Sequence, residues 1–122
     1  MAAIELNINR GIPKVKIKVG YSQPATYQSW LKSADGSKQN MGGNYEIDLA
    51  DATGIEKAQD LADKTFAWDV RVIRVTGGEG ERFYISVEFT QDGVPMCDNI
   101  VREGKFEGNV AWWPDSALFF VR

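Results

Sequence analysis

The sequence predicts an all-β protein: an antiparallel two-sheet β-sandwich, immunoglobulin-like in the broad sense, with one short helix in a connection. Two observations support this prediction. Apolar and polar residues alternate in about eight or nine short runs, as expected when one face of a strand is buried and the other is solvated. Turn-forming residues separate these runs at intervals of roughly eight to twelve residues. A β-barrel would give a similar pattern and is the alternative.

The longest alternating stretch covers residues 65–91. Apolar side chains recur at every second position on either side of a glycine-rich segment: Phe66, Trp68, Val70 and Val72 before it, and Phe83, Ile85, Val87 and Phe89 after it. Glycine adopts positive φ readily, so residues 76–81 are suited to a tight reversal. The pattern therefore predicts a β-hairpin made of two neighbouring strands of one sheet.

Four shorter strands are predicted before this stretch, at residues 4–8, 14–19, 26–31 and 45–49. If the first two strands pair, Glu5 lies on the same solvent face as Lys14, Lys16 and Lys18. We interpret the three lysines as a solvated face or as protection of an edge strand, rather than as an anion-binding stripe. The polar segment 37–44, which contains two glycines, is predicted to be a loop.

One helix is predicted between the strands. Thr53 and Glu56 match the capping-box pattern, in which each side chain bonds the backbone amide of the other. Ile55, Ala58 and Leu61 then fall on one face at helical spacing. These features predict a helix of about ten residues that packs on the edge or end of the sheets.

The C-terminal region is predicted to form a short irregular strand at residues 96–101 and two regular strands after it. The first regular strand covers 106–112 and is expected to end at Pro114-Asp115, because proline has no backbone N–H. The last covers 116–122 and has two apolar faces. Ala117, Phe119 and Val121 lie on one, and Leu118 and Phe120 on the other.

Length and composition limit the class of protein. A chain of 122 residues with 43% apolar content fits one domain, residues 1–122, with its own hydrophobic core. The net charge of −3 argues against nucleic acid as the partner, because nucleic-acid-binding proteins usually carry a basic face. No apolar run approaches the ~20 residues of a membrane span, and no signal peptide is recognisable. We expect a cytoplasmic protein, or one exported without a signal peptide.

Catalytic chemistry finds little support. The chain has no histidine and one cysteine, Cys97, so a histidine-activated nucleophile is excluded. Cys97 is expected to be a small buried apolar residue. A carboxylate-based hydrolase would need a pair such as Glu79 with Glu81 or Glu88 with Asp92, and these are more simply solvated turn residues. We therefore predict that the protein is not an enzyme.

No cofactor is predicted, with calcium left open. Calcium takes several oxygen ligands, which acidic loops supply. The candidate ligands are Asp48 and Asp51 in one region and Asp92 and Asp98 in another. None of them has the spacing of a helix-loop-helix calcium site.

The aromatic residues are the most informative feature for function. Trp112 and Trp113 are adjacent, so on a strand they face opposite ways. Because Trp112 has the same phase as Phe106 and Val110, the pattern predicts Trp112 in the core and Trp113 on the outer face. The other candidates for an exposed apolar surface are Phe120, Leu118 and Tyr84, with Tyr27 and Trp30 as additions.

An exposed aromatic surface predicts a non-enzymatic recognition or assembly module, which binds a protein partner or a second copy of itself. The alternative is a carbohydrate-binding, lectin-like sandwich in which a sugar ring stacks on Trp113, with or without the help of calcium. A sugar-dependent or calcium-dependent stabilisation would distinguish the second function from the first.

Overall fold

The structure is a computed structural model that describes residues 1–21, 23–47, 53–74 and 82–121. Within these residues it is nearly all β, with one helical turn. In chain order the elements are β1 (Ala2–Glu5), β2 (Lys14–Val19), β3 (Pro24–Lys32), β4 (Lys38–Ile47), β5 (Thr53–Gly54), α1 (Ala58–Leu61), β6 (Thr65–Ile73), β7 (Arg82–Gln91), β8 (Val94–Pro95), β9 (Ile100–Lys105) and β10 (Val110–Phe120).

The strands form two five-stranded sheets. Sheet 1 has the order β1-β10-β6-β3-β4. Sheet 2 has the order β5-β2-β7-β8, and β9 pairs with the part of β7 that precedes its contact with β8. The prediction of a nearly all-β protein with two sheets is confirmed. In the described part of the chain, no helix is long and apolar enough to cross a membrane.

The hydrophobic core lies between the two sheets. The inward side chains of β6 include Phe66 and Trp68, each 1% exposed. They contact Phe89 of β7 across the core, with ring centroids 5.8 Å and 6.3 Å apart. Phe89 also meets Phe119 of β10 edge-on at 5.7 Å. Such tilted aromatic pairs add about 0.5–1.5 kcal/mol each beyond the burial of their surface.

The predicted hairpin of residues 65–91 is wrong in its pairing. The strands β6 and β7 form where the alternation predicted them, but β6 pairs with β3 and β10 while β7 pairs with β2, β8 and β9. The physical reason is that alternation specifies only which face of each strand is buried. Two such strands bury the same side chains whether they lie side by side or face each other across a core. Residues 75–81 lie outside the described residues.

The N-terminal strand also differs from the prediction. β1 pairs with β10 in parallel, with Ile4 opposite Phe119, so sheet 1 is mixed and not purely antiparallel. β2 lies in the other sheet, and its lysines therefore have no β1 neighbour. Their cross-strand neighbours on the outer face of sheet 2 include Glu88, which lies opposite Lys16. In this position beside Phe119, the side chain of Ile4 is buried in the core and 1% exposed.

Two local predictions are corrected. Residues 38–44 of the predicted loop belong to strand β4 (Lys38–Ile47), which includes the start of the strand predicted at 45–49 and forms a hairpin with β3 through the turn at Gly36 (φ 89°). Polar residues are acceptable there because β4 is at the edge of its sheet. The ten-residue helix is reduced to the four residues of α1, with no side-chain cap, because Thr53 and Gly54 pair as a strand with β2 instead.

Strand β10 continues through Pro114, where the sequence predicted a break. The amide of Arg74 donates to Asn109 O, and the amide of Phe119 donates to Lys64 O. Hydrogen-bonded and non-bonded pairs alternate in an antiparallel ladder. Pro114, opposite Asp69, is therefore at a non-bonded position, and its nitrogen faces away from β6. β1 pairs with β10 only from Ala117 onward, so no ladder bond is lost.

Candidate functional site

The two adjacent tryptophans of β10 face opposite ways, but in the reverse of the predicted sense. Trp113 is 7% exposed and packs edge-on against Trp68, with ring centroids 5.5 Å apart. Trp112 is 58% exposed. The prediction that Trp113 faces outward is wrong because its phase was carried from Phe106 through residues 107–109. β9 ends at Lys105 and β10 begins at Val110, and a connection between strands does not preserve alternation.

The exposed Trp112 side chain is held in place by two neighbours on β6. Its indole Nε1–H donates to Asp69 Oδ1 at 2.7 Å. The guanidinium carbon of Arg71 lies 5.3 Å from the centroid of the ring, a cation–π contact. The same Asp69 oxygen is 3.5 Å from Arg71 Nε. Trp112 lies opposite Arg71 in the ladder, so sheet pairing brings the three residues together. The indole ring of Trp112 is therefore exposed to solvent, yet its orientation is fixed by Asp69 and Arg71.

Three of the predicted site residues lie on the same surface as Trp112. On β10, Leu118 and Phe120 alternate with the buried Ala117 and Phe119, which places them on the outer side of sheet 1, half-buried. Trp30 of β3 lies opposite Ala67, also on the outer side. We call this surface the outer apolar face. It comprises the side chains of Trp30, Ile73, Val110, Trp112, Leu118 and Phe120.

Polar and basic residues interrupt and border the outer apolar face. Lys38 lies over the ring of Trp30, with its Nζ 5.7 Å from the centroid. Lys32 is the cross-strand neighbour of both Lys38 and Thr65. At the opposite end, Ile73 and Val110 face each other in the ladder and are 36% and 50% exposed. The face is therefore a mixture of apolar and charged side chains, and protein-binding surfaces commonly contain both.

The remaining predicted aromatics lie elsewhere. Tyr84 is on the outer side of sheet 2, where it packs against Gly20. Tyr27 lies opposite Val70, on the inward side of β3, and packs partly buried against the core. The six predicted residues therefore do not form one surface. Trp30, Leu118 and Phe120 share the outer apolar face, Tyr84 is on the other sheet, and Tyr27 and Trp113 point inward.

The candidate calcium ligands do not form a cluster in the described part of the chain, where no group of three or more metal-binding side chains occurs. Asp92 instead accepts hydrogen bonds from the Gly11 amide, at 3.3 Å to each carboxylate oxygen. Asp98 is exposed. Asp48 and Asp51 lie outside the described residues.

The structure shows the surroundings of Cys97 and Glu88, two of the groups considered for catalysis. Burial raises the pKa of the Cys97 thiol, and the nearby charge of Asp98 raises it further, so the reactive thiolate is disfavoured at neutral pH. Glu88 accepts a hydrogen bond from Asn99 Nδ2 at 2.9 Å. Glu79 and Glu81 lie outside the described residues.

Two surface clefts adjoin β10. The larger, of about 590 Å³, lies between residues 5–10 and the β7–β8 hairpin, next to Val121. Its walls are fixed by the buried Gln91, which donates from Nε2 to the carbonyls of Asn7 and Gly11 at 2.7 Å and 3.0 Å. The smaller, of about 380 Å³, lies at the other end of β10 and includes Trp112 in its lining.

Comparison with known proteins gives no match: no protein-family model, no curated protein and no solved structure is significantly similar to this chain.

Proposed function

We propose that this chain is a β-sandwich, immunoglobulin-like in the broad sense, that acts as a non-enzymatic recognition or assembly module. It binds a protein partner, or a second copy of itself, through the outer apolar face. The observation that carries this proposal is that Trp30, Trp112, Leu118 and Phe120 share one side of one sheet. The single half-buried Cys97 is compatible with a cytoplasmic protein, or with one exported without a signal peptide.

The physical basis of binding is burial of the aromatic and aliphatic side chains of the outer apolar face. Tryptophan is enriched among the residues that contribute most to binding energy, especially at the centre of an interface. Because Asp69 and Arg71 already fix the ring of Trp112, little side-chain entropy would be lost when a partner covers it. The sheet beneath is hydrogen-bonded through β3, β6 and β10, which makes the surface rigid.

Self-association is the form of this function that can be tested without knowledge of the partner. Val110 and Val101 are a matched pair of exposed strand valines, 50% and 41% exposed, on the outer sides of sheet 1 and sheet 2. We expect the molar mass of the wild type, measured by light scattering over a concentration series, to rise with concentration. Val110→Asp should weaken association about tenfold or more by placing a charge in an apolar interface, and Val101→Asp should not.

Two results would contradict self-association through this face. One is a wild type that stays monomeric at all concentrations. The other is a Val101→Asp variant that loses association as completely as Val110→Asp. A strict monomer would restrict the proposal to a different protein, for which the same pair of valine variants distinguishes the two sheets.

The second candidate function is a carbohydrate-binding, lectin-like sandwich, with or without calcium. Trp113 cannot stack on a sugar, because it lies in the core. The observation that favours this function is the exposed and fixed ring of Trp112 beside a cleft. An increase in melting temperature with added sugar, or with added calcium, would support it.

A further inference from the structure

The smaller cleft lies between an edge of sheet 1 and an edge of sheet 2. Its wall from sheet 2 is made by Phe83 of β7 and by β9, which pairs with β7 as an edge strand. Its wall from sheet 1 is the beginning of β10, at residues 110–112. A volume of about 380 Å³ is at the lower end of the range for small-molecule sites, which bind ligands the size of a few sugar or aromatic rings.

Three aromatic rings contribute to the lining. Phe83 and Phe106 pack against each other, with centroids 5.4 Å apart, and keep the wall from sheet 2 in place. Trp112 supplies the exposed ring. Its indole N–H is already bonded to Asp69 and Arg71 lies over one face of the ring, so what it offers a ligand is the other, apolar face. Such a surface binds the C–H groups of a sugar, or another flat apolar group, by stacking.

Two charged residues of opposite sign, Arg102 and Glu107, complete the lining; an arginine donates hydrogen bonds and a carboxylate accepts them. Glu103 and Lys105 also border the cleft, but their positions opposite Tyr84 and Arg82 are on the outer side of sheet 2. Within the described part of the chain, neither Arg102 nor Glu107 forms an ion pair. Arg102 lies opposite Ile85, a core residue, so its position on β9 is on the inward side of sheet 2, toward the cleft.

A balanced set of donors and acceptors around an aromatic ring selects a particular class of ligand. An anion would be attracted by Arg102 but repelled by Glu107, and a cation would meet the opposite arrangement. A neutral ring with several hydroxyl groups satisfies both kinds of side chain, because each hydroxyl donates and accepts. Its C–H face can lie on Trp112 at the same time.

We infer that this cleft binds a neutral sugar unit, with Trp112 as the stacking surface and with Arg102 and Glu107 bonding its hydroxyl groups. The inference rests on the second of the two proposed functions and gives that function a location. It is independent of the outer apolar face, except that Val110 and Trp112 lie at the boundary of both.

The test is a titration of the protein with sugars, monitored through the backbone amide and tryptophan indole N–H signals in NMR spectra. The probes are the methyl glycosides of glucose, galactose, mannose and N-acetylglucosamine, with the methyl glycoside of glucuronic acid as an anionic comparison. The four tryptophans give four indole N–H signals, and a Trp112→Phe variant identifies that of Trp112. We expect at least one neutral glycoside to shift the Trp112 indole and the β9 amides, with Kd of about 1–10 mM, and to leave the Trp30 indole unchanged.

Variants locate the site. Trp112→Ala should abolish the shifts of the β9 amides, and Arg102→Ala should weaken binding about fivefold or more. Arg10→Ala is the matched control, since Arg10 is an exposed arginine that lines the other cleft, and it should leave Kd unchanged.

Three results would overturn the inference. If a sugar binds but shifts signals away from the cleft, the location is wrong although carbohydrate binding stands. If only the glucuronide binds, the charge argument is wrong. If no probe shifts any signal at about 50 mM, both the inference and the carbohydrate-binding function fail.

Discussion

Trp113→Ala is expected to lower the free energy of unfolding by about 3–5 kcal/mol, whereas Trp112→Ala lowers it by about 1 kcal/mol or less. Because both residues are tryptophans and are adjacent in the chain, the difference in lost stability comes from the different surroundings of their side chains. Trp113 is 7% exposed and packs on Trp68, so its removal leaves a cavity between the sheets. Trp112 is mostly in solvent and loses only one hydrogen bond and one cation–π contact.

Urea denaturation of the two variants, followed by circular dichroism, measures this difference. Trp68→Phe is the control: it replaces one aromatic side chain with a smaller one in the same part of the core, beside Trp113. Equal losses in the two alanine variants would contradict the burial of Trp113 alone, and a larger loss for Trp112→Ala would mean that the phase of β10 is the one expected from Phe106.

Phe89→Ala is expected to have an effect of similar size, about 3–5 kcal/mol. Phe89 belongs to sheet 2 and lies in the core between the sheets, where its ring contacts Phe66, Trp68 and Phe119 of sheet 1. A domain of this size is stable by only about 5–15 kcal/mol, so the variant should have a greatly lowered melting temperature and expose its core to hydrophobic dyes.

Phe83→Ala is the matched control for Phe89→Ala. It removes the same side chain from the same strand, but Phe83 is half-buried, and among the described residues Phe106 is its one aromatic contact. We expect its cost to be less than half that of Phe89→Ala, measured by the same thermal unfolding. A cost at Phe83 that equals or exceeds the cost at Phe89 would argue against a core centred on Phe89.

The positions of most strands could be predicted from the sequence, and their partners could not. The alternation of Val15, Ile17 and Val19 gave β2 with the bounds that the structure has. The same kind of pattern gave β6 and β7, but the hydrophobic effect is non-directional and records burial, not the identity of the neighbouring strand. Pairing depends on chain connections and on backbone hydrogen bonds, and polar residues such as those of β4 contribute to it as fully as apolar ones.

The candidate site shows the same limit. Leu118 and Phe120 could be assigned to the outer side because they alternate with Ala117 and Phe119 in one uninterrupted strand. Trp113 has the same odd phase as Ala117 and Phe119, so counting backward from the C-terminus assigns it to the core. The predicted break at Pro114 separates Trp113 from Ala117 and Phe119, so the prediction does not use this phase. The Asp69 and Arg71 contacts of Trp112 depend on the register of β6 with β10, which the sequence does not state.

Pro114 also limits how two molecules can meet. Residues 110–116 of β10 have no strand beside them on the side away from β6, within the described part of the chain. A second molecule that extended the sheet here would need an unbroken row of N–H donors, and Pro114 interrupts that row in the middle. Growth of the sheet from one molecule to the next is thereby blocked along this margin. The proposed association uses the broad side of the sheet instead, and an interface formed by the same patch on two molecules closes on itself and does not extend into a fibre.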